Sequence, residues 1–136
     1  MIIGLVSSTV ILTLPGKTPA VEIFAKQLAQ ETNIMAQDSL LTGTPAALGV
    51  SENGYTLMTF ENNVWETRGE RPAPDGVKLT FAKETAKIKL TDDITPLAIF
   101  EPIGQATVFV LTISDFDRTF RLESRGDGRV VLETGS

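Results

Sequence analysis

TPAVEIFAKQLAQETNIMAQDSLLTG, residues 18–43, is the stretch that decides the fold. Thr18 has a hydroxyl able to cap a helix, and Pro19 suits the first turn, where a missing N–H leaves no gap. Glu22 then sits at the positive end of the helix dipole. Val21, Phe24, Ala25, Leu28, Ala29, Thr32, Met35, Ala36 and Ser39 recur at the helical period, while Glu22, Lys26, Gln30 and Gln37 fall mainly on other faces. The spacing predicts one amphipathic helix over 19–42, about six turns long and ending at Gly43. Its apolar stripe needs a partner, and Phe24, Leu28 and Met35 are its expected core anchors.

Downstream the period changes to short runs divided by turn residues, the signature of antiparallel strands. Ala46–Val50 and Tyr55–Phe60 flank Ser51-Glu52-Asn53-Gly54, whose Asn-Gly pair is expected to take the positive φ angles of a tight hairpin. Glu61-Asn62-Asn63 marks a second turn before Val64–Thr67, and Arg68–Gly76, with two prolines and two glycines, reads as a surface loop. Further strands are expected at Val77–Phe81, Ala86–Leu90 and Leu97–Phe100. Val108–Ile113, Thr119–Glu123 and Val130–Glu133 should form a three-stranded meander. The fold class expected is α+β, a long amino-terminal helix packed on two small antiparallel sheets, because the stripe and the alternating strand faces need each other for burial.

Upstream, Met1–Leu14 carries no charged side chain and stops against Pro15-Gly16. A bilayer-spanning helix needs about 20 apolar residues, so this run is half an anchor. The division expected is an anchor-like segment over residues 1–17 and a globular domain over 18–136 with its β portion over 46–134. The chain has 136 residues, no cysteine and no histidine, with 12 basic and 17 acidic side chains. Disulfides and thiolate metal sites are thereby excluded, as are serine-histidine triads and histidine ligation of zinc. The net charge of −5 disfavours wholesale binding of nucleic acid. No spacing fits lysine, carboxylate or serine catalysis, so the chain reads as a non-enzyme requiring no cofactor and no metal.

An oily helix half, an amphipathic helix and then a compact β domain is an order that resembles type IV pilin-like proteins. Particular motifs make the chain similar to the H-type minor pseudopilins of the type II secretion system and the related T-type minor pilins. They are Ile2-Ile3-Gly4-Leu5, the helix end at Leu41-Thr42-Gly43-Thr44-Pro45, Asn53-Gly54-Tyr55, Trp65, Ile99-Phe100-Glu101-Pro102-Ile103-Gly104, and Arg121-Leu122 through Gly126-Asp127-Gly128-Arg129-Val130. The family's cleavage signal, first mature residues and the glutamate after them have no counterpart here, so the amino terminus is expected to be truncated. The resemblance implies a structural subunit that co-assembles with other pseudopilins near the tip of a short periplasmic filament. It also implies an inner-membrane anchor in which Ile2, Ile3, Gly4, Leu5, Val6, Val10, Ile11 and Leu14 contact lipid and then neighbouring helices, with Ser7 and Ser8 also small enough for close approach.

Two rival functions remain open at this point. One is a DNA-uptake pilin, for which Arg118, Arg121, Arg125 and Arg129 supply the candidate phosphate contacts, although Asp115, Asp117, Glu123 and Asp127 interleave with them. The other is a soluble β-sandwich enzyme or carbohydrate binder with Met1–Leu14 as a buried strand. Asp92 and Asp93 offer too few oxygens for calcium. Tyr55 and Trp65 are expected to pack rather than bind ligand.

Overall fold

Pro19, not a hydroxyl residue, opens the helix in the computed structural model, which describes residues 19–84 and 86–135. Helix α1 spans Ala20–Thr42, and the Pro19 carbonyl accepts the N–H groups of Glu22 and Ile23 at 3.1 Å. Thr18, the expected cap, lies outside the described residues. At the other end Gly43 adopts φ 73° and donates its N–H to the Ser39 carbonyl at 2.9 Å, the left-handed stop that glycine makes without steric cost. The buried face of α1 carries Val21, Phe24, Ala25, Leu28, Thr32, Met35, Ala36 and Ser39, the predicted stripe except for half-buried Ala29.

Among the described residues nine strands follow: β1 Ala46–Ser51, β2 Gly54–Glu61, β3 Val64–Pro72, β4 Lys78–Lys83, β5 Ala86–Ile88, β6 Thr95–Phe100, β7 Phe109–Ser114, β8 Thr119–Ser124 and β9 Val130–Gly135. They form two antiparallel sheets, ordered β3-β2-β1-β6 and β5-β4-β7-β8-β9, so the last three strands are the expected meander. Phe100 of the first sheet meets Phe109 of the second edge to face at 6.4 Å, and Phe109 stacks on Phe81 at 5.4 Å. This aromatic layer joins the sheets, and α1 closes the core by resting on β1, β2, β7, β8 and β9.

Two local expectations are corrected. The β1–β2 hairpin exists, but Glu52 and Asn53 are its central residues and neither has positive φ. The Ser51 hydroxyl accepts the Asn53 N–H at 3.1 Å, stabilising an ordinary turn without a primed geometry. Gly54 is instead the first residue of β2, where a Cβ would run into the Arg71 carbonyl oxygen and come within 2.9 Å of Pro72 Cα. The paired positive φ angles, 53° and 66°, belong to Asn62 and Asn63 in the β2–β3 turn, the signature of a type I′ hairpin.

The second correction concerns Arg68–Gly76. Rather than being wholly a loop, it continues β3 to Pro72 through a bulge at Gly69, whose φ of 93° lets two residues oppose one on β2. The Thr56 hydroxyl fastens the bulge by donating to the Gly69 carbonyl at 2.6 Å. A bulge, Pro72 and charged side chains on this exposed edge discourage pairing with a foreign strand.

Candidate assembly surface

Helix α1 has two working faces. On its inner face Phe24, Leu28 and Met35 are all buried, and Phe24 packs its ring on Tyr55 at 5.4 Å. Polar contacts fix the helix rotationally. The Tyr55 hydroxyl donates to Glu31 Oε1 at 2.8 Å, and Arg71 Nε reaches Glu31 Oε2 at 3.3 Å, tying α1 to β2 and β3. On the opposite flank Asn33 Nδ2 donates to the Val130 carbonyl at 3.1 Å while its Oδ1 accepts the Val130 N–H at 3.0 Å. The helix thereby occupies part of the β9 edge, satisfying backbone groups that would otherwise invite another strand.

Burial of Tyr55, followed by its hydrogen bond to Glu31 and that carboxylate's charge, pushes the phenol well above its ordinary value, while Arg71 pulls the other way. The folded state therefore favours the neutral phenol. Its contribution is fully present below the unfolded tyrosine value of about 10 and is lost as pH rises beyond it. Tyr55→Phe should cost about 1–3 kcal/mol at neutral pH and flatten the stability loss above about pH 10, read by urea unfolding across pH. An equally steep alkaline loss in the variant would assign that loss to other groups.

The outer face of α1 was not anticipated. Ile23, Gln27, Gln30, Ile34, Gln37 and Leu41 are all exposed and follow one another at alternating spacings of four and three. Three of the six are apolar and three are glutamine, and none is charged, so the strip is a mixed, uncharged face at heptad spacing. The four-and-three alternation is present in the sequence, overlaid by the stronger 3.6-residue stripe on the core side. Beside the carboxy-terminal half of α1 lies an open groove of about 520 Å3 with Met35, Ala46, Leu57 and Thr59 on its walls and Asp38 and Arg68 at its rim.

The four arginines do not form one patch. Arg118 lies in the β7–β8 turn and pairs with Glu22 at 3.5 Å, Arg121 projects from β8 toward Glu133 at 3.9 Å, and Arg125 and Arg129 flank the β8–β9 turn. Strand β8 separates Arg118 from Arg125 by about 20 Å. On β8 and β9, the hydrogen bond that a protonated Glu123 donates to Glu133, with burial and that carboxylate's like charge, raises the Glu123 carboxyl against the pull of Arg121 and Arg125, so the face is of mixed charge. Trp65 packs edge to face on Phe60 at 5.1 Å. The hydroxyl of Thr91 accepts the Asp93 N–H at 3.2 Å, which shapes the loop holding Asp92 and Asp93. Ile2, Ile3, Gly4, Leu5, Val6, Val10, Ile11 and Leu14 lie outside the described residues. No helix among the described residues is long and apolar enough to cross a membrane.

No protein-family model matches the chain, and no curated protein matches it in sequence. Solved structures do match. One structure of the minor pseudopilin EpsH from the type 2 secretion system of Vibrio cholerae superimposes with a TM-score of 0.71 at 18% identity, covering 84% of this chain and 95% of that one. A crystal structure of EpsH gives 0.73 at 16% identity, covering 86% and 96%. The solution structure of Escherichia coli GspH gives 0.63 at 14% identity, covering 82% and 85%. In this chain the first turn of the helix lies beside the β7–β8 hairpin and its last beside β6, and one helix laid across two antiparallel sheets is a fold it shares with EpsH and GspH.

Proposed function

We propose that the chain is a minor pseudopilin, a non-enzymatic subunit of a type II secretion filament that helps carry folded proteins across the outer membrane. The observation that carries this reading is the pilin-like fold, which superimposes over more than four-fifths of the chain on EpsH, a minor pseudopilin of a type 2 secretion system. The uncharged segment Met1–Leu14, upstream of α1, supports it, since such a segment supplies part of an inner-membrane anchor and leaves the β domain in the periplasm. The outer strip of α1 adds three exposed apolar side chains, Ile23, Ile34 and Leu41, with no charge between them along it. Its partners are the helices of other pseudopilins, met along Ile23, Ile34 and Leu41.

Dispersal of the four arginines favours this reading over a DNA-uptake pilin, because phosphate binding needs cations gathered along one surface. A photo-crosslinking amino acid at position 34, introduced in secreting cells, should join the chain to another pseudopilin. The same probe at Glu66, on exposed β3, should give far less of that product. Equal yields from both positions would remove the seam from the account.

A further inference from the structure

Among the described residues the two sheets have four edges, and three of them are closed or guarded. The bulge at Gly69 and Pro72 interrupt β3, and Asn33 takes up the backbone groups of Val130 on β9. Beside β6, Ala106 bridges to Phe100 and the Thr107 N–H donates to the Ile99 carbonyl at 2.9 Å. At the fourth edge β5 covers too little. Strand β4 pairs with β7 along Lys78–Lys83, whereas β5, three residues long, pairs only with Phe81, Ala82 and Lys83. Lys78, Leu79 and Thr80 therefore have a strand on one side and none on the other, and among the described residues no backbone hydrogen bond reaches them from the open side. An open groove of about 420 Å3 lies beside them, with Leu79, Ile88 and Leu90 set against Lys87, Lys89 and Glu52.

The charge here opposes that of the chain. Lys78, Lys83, Lys87 and Lys89 are four of its 12 basic side chains, all exposed, and Glu84 is the only carboxylate between Lys78 and Lys89. None of the four forms an ion pair among the described residues. The register orders these groups. Leu79 lies on the core side with Phe81 and Ile88, while Lys78 and Thr80 lie on the outer side with Ala82 and Lys87. A strand laid along Lys78–Thr80 would turn one side chain toward Leu79 and its two neighbours toward the lysines.

Lysines on an edge discourage indiscriminate pairing, and they do so least for a strand that carries carboxylates. Nucleic acid has the charge but neither a strand ladder for β4 nor apolar side chains for Leu79 and Ile88, so a peptide fits better. A second copy of this chain does not supply it, since its exposed strand β3 is bulged and carries Arg68 and Arg71.

We infer that the open part of β4 takes an extended acidic segment of a partner protein as an added strand, its apolar side chain resting on Leu79 and its carboxylates meeting Lys78, Lys87 and Lys89. Main-chain hydrogen bonds supply the affinity of such a contact, and the alternating side chains supply its specificity. Strand β4 lies on the far side of its sheet from β9, where Asn33 holds α1, so the edge stays open while the outer face of α1 is engaged. Strand addition here goes beyond the assembly reading and does not depend on it.

The probe is a short synthetic peptide of alternating glutamate and valine, titrated into the isotope-labelled full chain in a nonionic detergent and followed by the amide chemical shifts. The shifts should concentrate at Lys78–Thr80 and Lys87–Leu90. Two further versions, N-methylated on the glutamates or on the valines, keep the charge, and the one whose methyl groups face β4 should bind at least about tenfold more weakly than the other. Lys87→Glu with Lys89→Glu should weaken the glutamate peptide to a similar extent and admit a lysine–valine peptide instead, a gain that only a folded variant can show. Equal binding of both methylated versions would reduce the site to charge attraction and overturn strand addition. A short single-stranded DNA that displaces the peptide and binds more tightly would overturn the choice of partner. Shifts absent, or confined to other strands, would leave the lysines as guards of the edge and nothing more.

Discussion

Phe24→Ala should destabilise the domain by about 3–5 kcal/mol, the usual cost of emptying a buried phenylalanine site. The ring is buried from α1 against Tyr55, at 5.4 Å with the planes tilted by 59°. Its loss therefore leaves a cavity at the helix–sheet junction and uncovers the side chain whose hydroxyl holds Glu31. A domain of this size has on the order of 5–15 kcal/mol of stability in total, so the variant would sit near the edge of folding. Urea unfolding should show a lower midpoint with an unchanged slope. Ile23→Ala, one residue away on the exposed face, should stay within about 0.5 kcal/mol. A loss below about 1 kcal/mol at Phe24 would mean that α1 is not held by this contact.

The helix was legible because eight of its buried positions repeat at one period and a glycine ends it. The strands were legible because turn residues punctuate them, and the final meander followed from the short spacing of its runs. What escaped the sequence was long-range. Asn33 finds Val130 across 97 positions, and Arg71 joins Glu31 across 40, pairings that depend on the sheet register as built. The misplaced primed turn has a local cause. Asn53-Gly54 is the stronger dipeptide for such a turn, yet Gly54 is required for the close approach of β3, and the Asn62-Asn63 pair takes the strained conformation instead. Arg68–Gly76 read as a loop because a bulge glycine and an edge proline mimic one.

The candidate surface was less legible than the fold. Sequence proximity grouped four arginines that an extended strand then spreads apart, since side chains seven positions apart on a strand stand about 20 Å from each other. The exposed seam of α1 carries the opposite lesson. Ile and Leu at heptad spacing with Gln between them lie within the same 23 residues as the core stripe, and only the packed structure tells which face is spoken for.

The role proposed for the chain is assembly in protein export. If the proposed role in assembly holds, export should depend on the chain as on a structural part. Removing it from the bacterium that encodes it, with the other pseudopilins left in place, should reduce export across the outer membrane at least about tenfold. The cargo should accumulate folded and active in the periplasm, and the intact chain should restore export. The deciding measurement is the ratio of secreted to periplasmic cargo activity in cells with and without the chain. This ratio should collapse while DNA uptake is unchanged; an unaltered ratio, with DNA uptake lost instead, would rule out a role in export.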